Sequence, residues 1–109
     1  MGDGDMHREV LLRQVKHAIL EVEPEAEIIL YGSRAREGAG CESDWDFLVL
    51  VEGPVNDARV DAIRHRLYDI EWACGEVLCS VVRSRQEWDS PRYQAMPFRQ
   101  TVKREGMVL

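Results

Sequence analysis

The chain has 109 residues, 45% of them apolar and 31% charged, with 14 Lys+Arg against 20 Asp+Glu for a formal net charge of -6. That composition and length fit one globular domain over 1–109, and no apolar run approaches the ~18–20 residues of a membrane-spanning helix. The acidic balance excludes general nucleic-acid binding, whose footprint is basic.

The start, Met1-Gly2-Asp3-Gly4-Asp5, is acidic with no apolar stretch behind it, so no signal peptide is expected. Leu11, Val15, Ala18, Ile19 and Val22 fall on one face of an amphipathic helix over 6–22, which Pro24 ends. Glu27-Ile28-Ile29-Leu30-Tyr31 reads as a buried strand. Gly32-Ser33 then turns the chain, and Ser33 suits the N-cap of a helical turn over 33–37. The stretch from Asp44 to Val51 is the strongest strand, closed by Gly53-Pro54. A second helix over 56–72 has Asn56 or Asp57 as N-cap, buries Val60, Ile63, Leu67 and Ile70, and ends at Gly75. Val77 to Val82 is a third strand. Ser84-Arg85-Gln86-Glu87 has capping-box spacing and opens a short helix that fails before Pro91. Pro97 suits the start of a last helix over 97–105, and Gly106 its end. The order predicts an α/β or α+β domain, a small sheet with helices packed on it. Period and punctuation leave the strand directions open.

The chemistry concentrates in two places. Asp44 and Asp46, at i and i+2 on a strand, point to one face about 6–7 Å apart and lead into an apolar run. Carboxylates in such a setting need compensation, and a divalent cation with a taste for oxygen ligands supplies it, Mg²⁺ above all. The strand that ends in Gly32-Ser33 offers backbone N–H groups, a hydroxyl and a helical turn to a phosphate, with Arg34 and Arg36 beside it. Trp45 alternates with the aspartates and faces away from them, towards a helix. Trp72 and Trp88 are expected in the core or at its edge. His7, His17 and His65 lack partners at ligand spacing. Cys41, Cys74 and Cys79 are an odd count without metal spacing and read as free thiols in a reducing cytoplasm, Cys74 and Cys79 as small buried residues.

Gly32-Ser33, ten residues, then Asp44-x-Asp46 resembles the signature of the DNA polymerase β-type nucleotidyltransferase superfamily. Tyr31-Gly32-Ser33-Arg34-Ala35-Arg36 and Ser43-Asp44-Trp45-Asp46-Phe47-Leu48-Val49 look like the minimal nucleotidyltransferases of bacteria and archaea. The likeness is clear over 27–52 and extends to Ser84–Trp88 and Pro97–Gly106. The resemblance implies a polymerase β palm-like fold. It implies Mg²⁺-dependent transfer of a nucleotidyl group, adenylyl from ATP foremost, to an acceptor hydroxyl. Gly32, Ser33, Arg34 and Arg36 would hold the triphosphate, and Asp44 and Asp46 would be the catalytic ligands of a two-metal site. It also implies an antitoxin-like role beside a helical HEPN-type partner whose tyrosine accepts the group. A second copy of the chain is the other candidate partner, since this length leaves no room for a separate acceptor domain.

The family adds a third carboxylate from the next strand. Parity places Leu78, Ser80 and Val82 on one face, so Ser80 is expected to face the cleft in its place, with Glu76 too far back to substitute. Three outcomes stay open: slow chemistry with one metal, a third ligand from a partner, or a binding module without catalysis. Residues 83–109 hold 6 basic and 3 acidic side chains against 8 and 17 in 1–82. That excess reads either as a solvated tail or as a docking surface.

Overall fold

The computed structural model describes residues 3–35 and 44–109. Helix α1 (Asp3–Val22) leads to strand β1 (Glu27–Tyr31), a 3₁₀ turn (Ser33–Ala35) and strand β2 (Trp45–Val51). Helix α2 (Asp57–Cys74), strand β3 (Leu78–Ser84), the short helices α3 (Arg85–Trp88) and α4 (Pro91–Gln94), helix α5 (Pro97–Glu105) and strand β4 (Met107–Val108) follow. Among the described residues, no helix is long and apolar enough to cross a membrane.

The sheet is mixed, in the order β3-β2-β1-β4. β1 runs antiparallel to both neighbours, and β2 and β3 are parallel. A parallel pair needs a crossover, which α2 provides. Asn56 starts α2: its side chain accepts from the Arg59 backbone N–H at 2.9 Å. Gly75 ends it in the left-handed region, its own N–H donating to the Glu71 carbonyl.

Strand alternation sorts the core into two layers. Ile28, Leu30, Trp45, Phe47, Val49, Val51, Leu78 and Val82 pack against α1 and α2 through Leu11, Val15, Ile19, Ile63 and Leu67. Ile29, Leu48 and Leu50 face the other way, against Trp88 and Val102, with Tyr31, Val81, Tyr93 and Phe98 around them. β2 is covered on both sides, which is why its run from Phe47 to Val51 is apolar throughout.

One expectation changes here. Trp72 is 75% exposed, because the buried stripe of α2 runs through Ile63 and Leu67 and leaves position 72 outside it, edge-on to Tyr68. Trp88 is buried as expected. α4 and the two-residue β4 were not legible: four residues that begin at Pro91 and two beyond Gly106 carry no periodic pattern. Of the basic residues after position 82, Arg85 pairs with Glu27 at 3.4 Å, and Arg99 meets Asp89 at 3.8 Å and lies over Trp88. Two of those six charges are therefore paired inside the chain, while Arg92, Lys103 and Arg104 are exposed.

Candidate active site at the end of the sheet

Asp44 and Asp46 flank Trp45 at the start of β2. Trp45 is 2% exposed in the layer under α1 and α2. Alternation therefore turns both aspartates to the opposite face, with Asp44 exposed and Asp46 half-buried. Tyr31 pairs with Asp46 across β1 and β2, and Gly32 follows at once. Gly32 has φ +78°, and a Cβ there would come within 2.8 Å of Asp46 Oδ2. The glycine is required twice: for the left-handed turn, and for the approach of a carboxylate to bare backbone. Local burial raises the Asp46 carboxyl above the usual aspartate range, and the charge of Asp44 adds to it. Two carboxylates held together in this way are the setting that a cation relieves.

The register of β3 overturns one expectation. Asp46 stands beside Cys79, and Ser80 stands beside Phe47. Cys79 therefore shares the face of the aspartates, with its Sγ 4.0 Å from Asp44 Oδ2. Ser80 turns with Leu78 and Val82 to the helix side. Parity along β3 is as expected, but the face is the reverse. Leu78 pairs with Trp45 and belongs to the buried layer, which carries Ser80 with it. The place next to the aspartate pair on β3 is thus held by a thiol. Cys79 is exposed and not a small core residue. Its pKa is pushed up by local desolvation first and then by Asp44, Asp46 and Glu71.

Arg34 is not brought to the carboxylates. Its guanidinium lies 4.5 Å from the Trp45 ring centroid, and Nη2 donates to Glu76 Oε1 at 3.2 Å. Trp45 Nε1 donates to the same oxygen at 2.6 Å. A cation on an aromatic face, closed by a shared carboxylate, is a bracing arrangement on the helix side of β2. Glu76, bonded to Trp45 on the side away from the aspartates, thus holds Trp45 and, through it, the strand that carries Asp44 and Asp46. Glu71 accepts from the Leu78 backbone N–H at 2.8 Å and fixes the start of β3. Sequence reasoning missed both roles, since neither acid has a signal beyond its position at a helix end. Arg36, Cys41 and the Ser33 side chain lie outside the described residues.

Tyr31 completes the face. Its ring meets Phe98 edge-on, with centroids 5.3 Å apart. Burial raises its pKa, Asp46 and Cys79 add to the rise, and Arg83 opposes it. The donor set around Asp44 and Asp46 suits a metal that brings its other ligands with it. Mg²⁺ is commonly held by one or two carboxylates plus substrate phosphates. Among the described residues, no three His, Cys, Asp or Glu side chains form a metal cage of their own.

Residues 12–91 match the sequence profile of the nucleotidyltransferase domain, a stretch that runs from α1 to the first residue of α4 and includes Gly32, Asp44, Asp46, Cys79 and Arg83. No curated protein was found to match the chain.

Proposed function

The chain belongs to the nucleotidyltransferase domain family, and on that premise we propose that it moves a nucleotidyl group from a nucleoside triphosphate to an acceptor hydroxyl, with pyrophosphate leaving. The observation that carries this reading is the Asp44–Asp46 pair, turned to one face beside the left-handed Gly32 turn. ATP is the proposed donor and Mg²⁺ the proposed metal. The metal, when bound, neutralises phosphate charge and the charge that develops on the attacking and leaving oxygens. Asp44 and Asp46 hold and orient it. The backbone at Gly32 and Ser33 receives phosphate oxygens. Trp45, clamped by Glu76 and Arg34, keeps the pair in register. Tyr31 walls the cleft against Phe98.

The acceptor is proposed to be a tyrosine hydroxyl of a HEPN-type partner protein, as the family resemblance implies, with a second copy of the chain as the alternative. Incubation with ATP, Mg²⁺ and the product of the neighbouring gene tests the proposal. Pyrophosphate release and a mass increase of one adenylyl group on the acceptor are expected, and both should vanish in Asp44→Asn/Asp46→Asn. Release that persists in the double variant contradicts it.

Cys79 favours a second reading, a module that binds nucleotide and acts on its partner without transfer. A thiol beside the aspartates is a soft donor where a hard oxygen is usual, and its raised pKa keeps it protonated. Binding of ATP and partner with no pyrophosphate release supports that reading over the first.

A further inference from the structure

On α2, Trp72 is 75% exposed and meets Tyr68, itself 54% exposed, with ring centroids 6.1 Å apart. Trp45 and Trp88, by contrast, are buried. Two aromatic rings left in water forgo the stabilisation that burial gives, and Trp and Tyr are enriched where proteins meet. A groove of about 470 Å³ opens between α1 and α2, lined by Ala18, Ile70 and Ala73 among others. Its walls carry opposite charges, Arg13 on α1 and Asp69 on α2. Both are exposed, and among the described residues neither has a hydrogen bond or an ion pair. Asp69 and Trp72 are three residues apart and so are neighbours on the surface of α2. The groove and the exposed rings therefore form one face. Glu21 meets Arg66, Glu23 meets Arg59, and residues 13–18 lie beside 69–73. Numbers rise along α1 as they fall along α2, so the two helices are antiparallel.

We propose that this face is where a second copy of the chain docks, about a twofold axis that runs along the groove. The rotation lays α1 of each copy on α2 of the other and completes an antiparallel four-helix bundle. Charge complementarity selects the occupant. A groove with one positive and one negative wall is matched by its own image: Arg13 of each copy faces Asp69 of the other, and both contacts form together. The exposed side of α2, with Trp72 on it, is covered by α1 of the second copy. The inference does not depend on nucleotidyl transfer, but it bears on the acceptor. α1 and α2 cover one face of the sheet, while Asp46 and Cys79 lie on the other. The two sites of such a dimer point away from each other. A copy docked here is therefore not the acceptor, which approaches each site from the opposite side.

Sedimentation velocity across a concentration series, without nucleotide or metal, tests the proposal. A reversible dimer is expected. Arg13→Asp and Asp69→Arg should each weaken it at least about ten-fold, because each sets like charges opposite one another twice. Mixing the two variants in equal amounts should restore it. In the mixed dimer the new aspartate faces the new arginine, and the unaltered Arg13 and Asp69 meet in the second contact. That rescue also shows that both variants are folded. Acrylamide quenching of tryptophan fluorescence should fall as the dimer forms, since Trp72 is exposed in the single chain while Trp45 and Trp88 are buried in either state. A chain that stays monomeric at every concentration overturns the inference, as does a dimer indifferent to both charge reversals. Shielding of Trp72 only when the product of the neighbouring gene is added assigns the face to that protein and overturns it equally.

Discussion

A thiol at position 79 and a hydroxyl at position 80 make opposite demands, and substitution separates them. Cys79→Asp places a third carboxylate beside Asp44 and Asp46. It should tighten Mg²⁺-dependent ATP binding and raise transfer by up to ~10²–10⁴-fold, the usual worth of general-base help. Ser80→Asp puts a charge on the helix side, beside Phe47, which is fully buried. It should give no gain in transfer and lower the melting temperature. Equal gains from both variants would show that the strand register is wrong. Gly32→Ala adds a Cβ in a left-handed conformation against Asp46 Oδ2. It should cost about 1–2 kcal/mol of stability from the backbone alone and weaken nucleotide binding by displacing Asp46, which denaturant titration and calorimetry would read separately. Much at this scale was legible. The i, i+2 spacing put the two aspartates on one face and Trp45 on the other, because alternation is a property of one strand. Which residue of β3 stands beside Asp46 depends on pairing between strands, and Val77 to Val82 looks acceptable in either orientation. The contacts of Arg34 were not legible for a related reason: the Trp45 ring and Glu76 that it meets are eleven and forty-two positions away.

The elements that carry the site are held by a clamp. Glu23, just beyond α1, receives Arg59 of α2 through both carboxylate oxygens, at 2.9 and 2.7 Å, and Arg59 Nη1 also donates to the Pro54 carbonyl. Hydrogen bonding from Arg59 holds the Glu23 carboxyl below the usual glutamate range, outweighing the opposing effect of burial. A depressed folded-state pKa means stability that is present above the unfolded value of ~4.3 and lost as pH falls through the folded value. Glu23→Gln should therefore be less stable than the unmodified chain at neutral pH, by about 1 kcal/mol. That difference should close below pH ~4.3. Chemical unfolding at pH 7 and pH 3 checks it, and a gap that stays constant across that range contradicts it. The main helices and the three longer strands were legible because each has periodicity, a cap or a breaker of its own. β4 was not: its two residues exist as strand only through pairing with Ile29 and Leu30. Gly106 makes that return possible, since a Cβ there would meet Ile29 Cγ2 at 2.7 Å and the Val102 carbonyl.

At the scale of the whole molecule, the sheet separates structure from chemistry. One face is sealed by α1 and α2, and the other carries Tyr31, Asp46, Cys79 and Arg83, with α3 to α5 covering its far end. The family was legible from Gly32-Ser33 and Asp44-x-Asp46, since a short turn and a single strand contain the whole signal. The cleft's other wall was not, because it is assembled from β3 across the sheet. Calorimetric titration of ATP with Mg²⁺ into the unmodified chain and into Asp44→Asn/Asp46→Asn examines what the fold is built to present. Saturable, Mg²⁺-dependent binding to the unmodified chain is expected, with none to the double variant, whose circular dichroism and melting remain those of a folded domain. Binding of the same affinity by both chains, or binding indifferent to Mg²⁺, would contradict the assignment of the aspartate pair as the metal and nucleotide site.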